Sequence, residues 1–379
     1  MPSKLFSLLG IFCFLLSACQ PLPGISDPTG IGPAPNGSVP ATHAPDGPGS
    51  LTQIPMQVGY GVKGSWFELY FTDPTDPLAG QMAGGPDGPL AAAIDAARVS
   101  VDVAVYSLSL DSVRDALLRA YRRGLQVRVV MESDNMDRSD PQILKDAGIP
   151  MLGDRREGLM HNKFVVIDRS EVWMGSMNFT DSGTYQDNNN LMRIRSTKIA
   201  EDYTAEFNEM FVDDKFGPGV SAATPNPRVT LSDTPIEVYF SPDDHVQSTL
   251  LSLLQNARSS IYFMAYSFTA DPLGEAIRQR AAAGVKVSGV METDQVKSNI
   301  GTEYDPFRAS GLDVRLDGNP GLMHHKVMVI DGGILVVGSY NFTASAGTNN
   351  DENLLIIHNS EIAAQFLLEF QRIYSLARQ

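Results

Sequence analysis

Two sets of residues in this chain have the types and spacing needed to hold a phosphate. His161-Asn-Lys163 is followed by Asp168 and then Gly175-Ser176-Met-Asn178. His324-His-Lys326 is followed by Asp331 and then Gly338-Ser339-Tyr-Asn341. In both sets the lysine stands two residues after the histidine, the aspartate seven and the asparagine seventeen. Such agreement points to duplication of one half-site, so that a working site needs both halves. On a strand, residues two apart share a face, and His161 therefore projects with Lys163, as His324 does with Lys326. Asp168 and Asp331 fall off that face and read as structural, fixing neighbouring backbone or a lysine. Asn178 and Asn341 lie on the next strand or turn, where a side-chain amide donates to a phosphate oxygen. Two lysines and two amides converging on one point form a phosphate clamp that needs no metal and no cofactor.

Neighbouring residues read more plainly. Ser176 and Ser339 are expected to hydrogen-bond substrate or backbone rather than to attack. His325 alternates to the face opposite His324, so one metal ion would not take both. Asn178-Phe-Thr180 and Asn341-Phe-Thr343 match a glycosylation pattern, but their place in the repeated signature favours phosphate binding. Tyr106 and Tyr266 are expected in the core, while Glu132 and Glu292 either face the site or cap the next helix. Asp134, Asp137 and Asp140 recur every third residue, whereas calcium loops alternate their first ligands at every second.

The elements that must position these groups are repeated too. Glu68-Leu-Tyr-Phe71 matches Glu237-Val-Tyr-Phe240, and Val103-Ala-Val-Tyr106 matches Phe263-Met-Ala-Tyr266. The stretch from Gly124 to Glu132 matches Gly284 to Glu292, and Glu206-Phe207 matches Glu369-Phe370. Each copy reads as strand, helix, strand, helix, strand, the signature strand pair and a closing helix. Asp111 to Arg123 and Asp271 to Ala283 have helical periodicity, an acidic N-cap candidate and a terminating glycine. The runs Val99–Tyr106, Val127–Met131, Phe164–Ile167 and Val172–Gly175 are short, β-branched and largely unalternated, as strands covered on both faces are. These signals place one repeat at residues 65–216, a Pro/Gly/Ser/Thr-rich linker at 217–234 and the second repeat at 235–379.

The N-terminus speaks to compartment. Lys4 precedes an apolar run from Leu5 to Leu16, too short to span a bilayer as a folded helix. It ends Leu16-Ser17-Ala18-Cys19, which resembles a bacterial lipoprotein processing site. Processing would remove residues 1–18, with Cys13 among them, and attach lipid to Cys19. The mature chain would then have no intrachain disulfide. Residues 19–64 are expected to form a Pro/Gly-rich tether, and Gln20 after the cysteine favours the outer membrane of a Gram-negative envelope. The formal charge is −15, which disfavours non-specific capture of nucleic acid or anionic membrane.

The paired signatures resemble the HxKxxxxD and GSxN motifs of the phospholipase D superfamily, from about Trp66 to the C-terminus. The resemblance implies an α/β fold of two similar α-β-α lobes, related by a pseudo-twofold axis with the site between them. It also implies two chemical steps. One histidine attacks phosphorus to form a phosphohistidine, and the other protonates the leaving alcohol and then activates water or an acceptor alcohol. Family members place an acid beyond each motif histidine to orient the histidine of the opposite half. Here Glu352 stands 28 positions after His324, but Asn189 stands 28 after His161. Glu352 would then hold His161 as the nucleophile and leave His324 as acid/base, with Asp187 substituting for Asn189 only if the loop is shifted. The expected activity is metal-independent phosphodiester cleavage, with a glycerophospholipid as the leading substrate and nucleic acid as the runner-up. A non-catalytic envelope binding protein is the reading of another class. With both half-sites in one chain, a monomer suffices.

Overall fold

Strands form where the apolar, β-branched runs predict them, in a computed structural model that describes residues 51–219 and 224–378. The first lobe contains β1 (Thr52–Ile54), β2 (Tyr60–Lys63), β3 (Phe67–Phe71), β4 (Ser100–Val105), β5 (Gln126–Met131), β6 (Met151–Gly153), β7 (Lys163–Ile167), β8 (Glu171–Gly175) and β9 (Asn190–Arg195). They make one mixed sheet in the order β1-β2-β3-β9-β8-β7-β4-β5-β6. Its helices are α1 (Asp87–Ala96), α2 (Asp111–Arg122), α3 (Ser139–Asp146), α4 (Asp181–Tyr185) and α5 (Thr197–Phe211).

The second lobe repeats the plan with β10 (Arg228–Leu231), β11 (Thr234–Ser241), β12 (Ser260–Ala265), β13 (Lys286–Met291), β14 (Asp313–Leu316), β15 (Lys326–Ile330), β16 (Ile334–Gly338) and β17 (Glu352–His358). Their order is β10-β11-β17-β16-β15-β12-β13-β14. Its helices are α6 (Val246–Gln255), α7 (Asp271–Ala282), α8 (Thr293–Ser298), α9 (Tyr304–Ala309), α10 (Ala344–Thr348) and α11 (Ser360–Leu376).

The unalternated strands are buried on both faces. Val101, Val103 and Val105 of β4 pack outward with Leu117 of α2, while Ala104 of β4 and Val166 of β7 pack inward with Tyr203 and Phe207 of α5. The inner faces of both sheets, α5 and α11 share one hydrophobic core. Phe71 meets Phe366 edge-on at 4.9 Å, and Tyr203 meets Phe240 at 5.0 Å. The two lobes consequently belong to one compact unit.

Three sequence expectations need correction. Residues 52–54 and 60–63, assigned to the tether, form β1 and β2 at the edge of the first sheet. Residues 228–231, assigned to the linker, form β10 paired with β11. Asp111 and Asp271 are not caps: Leu110 and Ala270 hold the cap positions without a side-chain bond, and the aspartates lie in the first turn, where their charge complements the helix dipole. The signal segment, Cys19 and the tether up to Ser50 lie outside the described residues. Among the described residues no helix is long and apolar enough to cross a membrane.

Candidate active site

The signature residues collect where neighbouring strands end and begin. In the first sheet Val105, ending β4, pairs with Lys163, starting β7, and Gly175, ending β8, pairs with Leu191 of β9. Ala265 and Lys326, then Gly338 and Leu354, repeat this in the second sheet. Crowding dictates the signature glycines. A Cβ on Gly175 would stand 2.3 Å from the Asn190 carbonyl oxygen, and one on Gly338 2.2 Å from that of Asn353. Asp168 accepts from the backbone N–H groups of Arg98, Val99 and Ser100 at 2.7–3.1 Å. Asp331 does the same for Arg258, Ser259 and Ser260 at 2.6–3.0 Å. Both aspartates clasp backbone; neither holds a lysine.

Each histidine is fixed by the opposite lobe. His161 N donates to Asp351 O at 2.9 Å and His324 N to Asn188 O at 2.9 Å, while Asp351 N and Asn188 N return bonds to Leu159 and Leu322. The side chains cross as well. His161 Nδ1 meets Glu352 Oε2 at 2.7 Å, and His324 Nδ1 meets Asn189 Oδ1 at 3.0 Å. Asn189 Nδ2 donates to Gly183 O at 2.8 Å, so its Oδ1 is the acceptor and His324 carries its proton on Nδ1. Asp187 does not substitute: its Oδ1 accepts from Leu322 N at 2.9 Å. Lys163 Nζ and Lys326 Nζ each donate to the carbonyl of their own histidine at 2.8 Å.

The remaining signature residues are two serines and two asparagines. Ser176 Oγ donates to Asn189 Oδ1 at 2.7 Å and accepts from Asn190 N, and Ser339 Oγ accepts from Asn353 N at 3.1 Å. Asn178 Oδ1 and Asn341 Oδ1 are buried without a hydrogen-bond partner among the described residues. The threonines that complete the glycosylation pattern are helix caps, Thr180 for α4 and Thr343 for α10. Glu132 accepts from Asp134 N and Met160 N, and Glu292 from Gln295 N.

Burial dominates the electrostatics. It is the largest influence on His161 and, with Lys163, outweighs Glu352, bringing the imidazole down to about 4. Lys163 falls to about 7 through burial, with Glu352 opposing. His324 is held well below its ordinary value by burial and then by Lys326 and Lys163. Lys326 is lowered by burial and by Lys163.

Tyr106 and Tyr266, expected in the core, are half-buried beside the histidines instead. Tyr106 lies edge-on to His161 at 5.3 Å and Tyr266 to His324 at 4.6 Å. Their aromatic bulk made them look like packing residues. His325 points away from the site, bonded to Glu369 at 3.0 Å and to Asn190 at 2.9 Å. The counterpart contact joins Asn353 to Asn162 at 2.8 Å. Sequence reasoning passed over Asn190 and Asn353, although they recur at one offset in both repeats. Among the described residues no group of three or more His, Cys, Asp or Glu is arranged to hold a metal ion.

Two half-sites joined by reciprocal contacts across a shared core define a bilobed α/β protein with a duplicated His-x-Lys site. The family described as "Cardiolipin synthase, PLD-like domain" matches residues 90–211 and 250–374, and the chain belongs to this phospholipase D superfamily. It is 39% identical over 127 residues to mitochondrial cardiolipin hydrolase of Homo sapiens, covering 34% of this chain and 50% of that relative. It is 32% identical over 137 residues to a phospholipase D of Rickettsia conorii, covering 36% of this chain and 68% of the relative. The chain thus spans about half the length of the cardiolipin hydrolase it matches. A phosphatidylserine synthase from Haemophilus influenzae shares the fold with a TM-score of 0.60 at 15% identity, over 77% of this chain and 87% of the other.

Proposed function

We propose that this protein is a phosphodiesterase that hydrolyses, or exchanges the headgroup of, a glycerophospholipid through a phosphohistidine. The observation that carries the reading is the unequal pairing of two reciprocally placed histidines, His161 with Glu352 and His324 with Asn189. Glu352 accepts the Nδ1 proton of His161, leaves its Nε2 lone pair free and compensates the charge that develops as that nitrogen attacks phosphorus. The P–O bond to the headgroup breaks as the P–Nε2 bond forms. His324, protonated as the anionic substrate docks against it, gives its Nε2 proton to the leaving oxygen. It then takes a proton from water, whose oxygen attacks phosphorus and releases His161. Lys163, Lys326, Asn178 and Asn341 hold the non-bridging oxygens.

A lipid substrate is supported by the names of the relatives and by the charge of −15, which opposes polyanion binding. Lipidation at Cys19 would place the site beside an envelope membrane. The test is turnover of the full-length protein and its His161→Ala variant in EDTA, on mixed phospholipid vesicles and on single- and double-stranded DNA and RNA. Headgroup release by the wild type alone supports the reading, whereas nucleic-acid cleavage without lipid turnover overturns it. Trapped phosphoenzyme should vanish in His161→Ala; its loss only in His324→Ala would reverse the two roles.

A further inference from the structure

Each signature histidine and the residue after it meet the opposite lobe in two rungs, one at the site and one behind it. Asn189-Asn190 meets His324-His325, and Glu352-Asn353 meets His161-Asn162. The front rungs join His324 Nδ1 to Asn189 Oδ1 at 3.0 Å and His161 Nδ1 to Glu352 Oε2 at 2.7 Å. The rear rungs are unlike too. Asn353 Nδ2 donates to Asn162 Oδ1 at 2.8 Å, whereas Asn190 Nδ2 meets His325 Nδ1 at 2.9 Å. Glu369 stands behind His325 at 3.0 Å, and Glu206 behind Asn162 at 3.4 Å.

Ser176 ties the two rungs of the His324 side together. Its Oγ donates to Asn189 Oδ1 at 2.7 Å and accepts from Asn190 N at 3.1 Å and Asn190 Nδ2 at 3.3 Å. The proton positions follow from this network. Arg372 and Tyr60 donate to the Glu369 carboxylate, which also accepts the Nε2 proton of His325. Burial lowers the pKa of His325 against the pull of Glu369, so the ring carries that one proton and Nδ1 is a lone pair. A lone pair there calls for the amide nitrogen of Asn190. With the amide turned over, its oxygen would compete with Asn189 for the hydrogen of Ser176. Ser176, Asn189, Asn190, His325 and Glu369 are fully buried, so no water replaces a lost partner.

We propose that His325 is a positioning residue for His324. Its Nδ1 lone pair holds the Asn190 amide, Asn190 and Ser176 hold Asn189, and Asn189 accepts the Nδ1 proton of His324. This rests on the phosphohistidine reading with His324 as acid and base. When His324 activates water, its Nε2 lone pair takes the proton while the Nδ1 proton needs an acceptor. An Asn189 amide turned over would present N–H to Nδ1 and put the resting proton on Nε2, which blocks that step. Attack of His161 on phosphorus needs no such help when the leaving group departs as a stable anion.

The experiment mixes the full-length protein rapidly with bis(p-nitrophenyl) phosphate, whose nitrophenolate leaves without a proton. His325→Leu, which removes the lone pair, should keep the first burst of nitrophenol but slow steady turnover about ten- to hundredfold as phosphoenzyme accumulates. Ser176→Ala should do the same with the His325–Glu369 pair intact, and carries the test if His325→Leu fails to fold. The two substitutions together should slow turnover no further than either alone, because they break one chain. His325→Asn restores the acceptor that Asn162 supplies in the other half and should turn over like the wild type. Loss of burst and turnover together, wild-type turnover in His325→Leu or Ser176→Ala, or a His325→Asn protein as slow as His325→Leu would overturn the positioning role while sparing the mechanism. If the wild type forms no phosphoenzyme, or His324→Ala hydrolyses its own at the wild-type rate, the mechanism falls and the positioning role with it.

Discussion

Glu352 and Asn189 stand at matching positions of the two repeats and differ by one functional group, which gives the two histidines unlike partners. Glu352 is fully buried, so its charge acts on His161 with little screening. Glu352→Gln keeps a hydrogen-bond acceptor but removes the charge, and should lower kcat by about 10²–10⁴ without changing the fold, as checked by phosphoenzyme trapping beside thermal unfolding. Lys163 is a second group with a legible pH signature. Its ammonium is lowered to about 7 by burial, and a bound phosphate would favour the charged form. An inert tetrahedral oxyanion such as tungstate should therefore bind more tightly below pH 7 than at pH 9 and take up protons on binding. Calorimetry in buffers of different ionisation enthalpy counts those protons. Binding independent of pH, with no uptake, would show that the lysine is charged at rest.

At the scale of elements, the signature aspartates act on backbone rather than on the paired histidines. Asp331 adopts a left-handed backbone conformation at φ 52° and fastens the end of β15 to the start of β12. Burial opposes its charge, but the N–H groups of Ser259, Ser260 and Arg258 outweigh that and hold its pKa below the usual carboxylate value. The stability it provides is present above the unfolded carboxylate pKa and is lost as pH falls through the lower folded one. Asp331→Ala should cost on the order of 2 kcal/mol at neutral pH, read as a lower denaturation midpoint, and the difference should shrink in acid. Much of this layer was legible: the β-branched runs marked β4, β5, β7 and β8, and equal spacing placed both signatures at corresponding strand ends. The side chains of Tyr106 and Tyr266 were not legible, because tyrosine at a strand end serves core and cleft equally well. The bonds of His161 to Asp351 and of His324 to Asn188 were hidden too, since backbone groups carry no sequence signal. Residues 52–63 resembled a tether because β1 and β2 are short and β1, at the sheet edge, is mostly exposed.

The whole molecule is held across its pseudo-symmetry by two unlike junctions. On one side Glu369 is compensated by His325, Arg372 and Tyr60; burial opposes its charge, but bonds from His325 and Arg372 prevail and bring it down to about 2. On the other, Glu206, Glu209, Asp243 and Asp351 gather with few cations. Arg156 pairs with Asp351 at 2.6 Å, and Lys215 acts weakly on Glu209. Burial and then mutual repulsion raise Glu209 to about 7, and burial, with Asp351 and Asp244 adding to it, raises Asp243 to about 6. A carboxyl with a raised folded pKa gives stability that is fully present below its unfolded value and is lost as pH climbs through the folded one. This junction should therefore loosen between about pH 4 and pH 7. His161, lowered to about 4, works in the opposite sense, with stability lost as pH falls below 6.5, so the wild-type profile alone would blur the two. Comparing variants at each pH separates them. Glu209→Gln should raise Tm at pH 8, where the wild type carries the unfavourable charge, and should match the wild type at pH 4, where both side chains are neutral. An equal rise at both pH values would assign the gain to packing, and a fall at pH 8 would show that the charge is compensated at this junction.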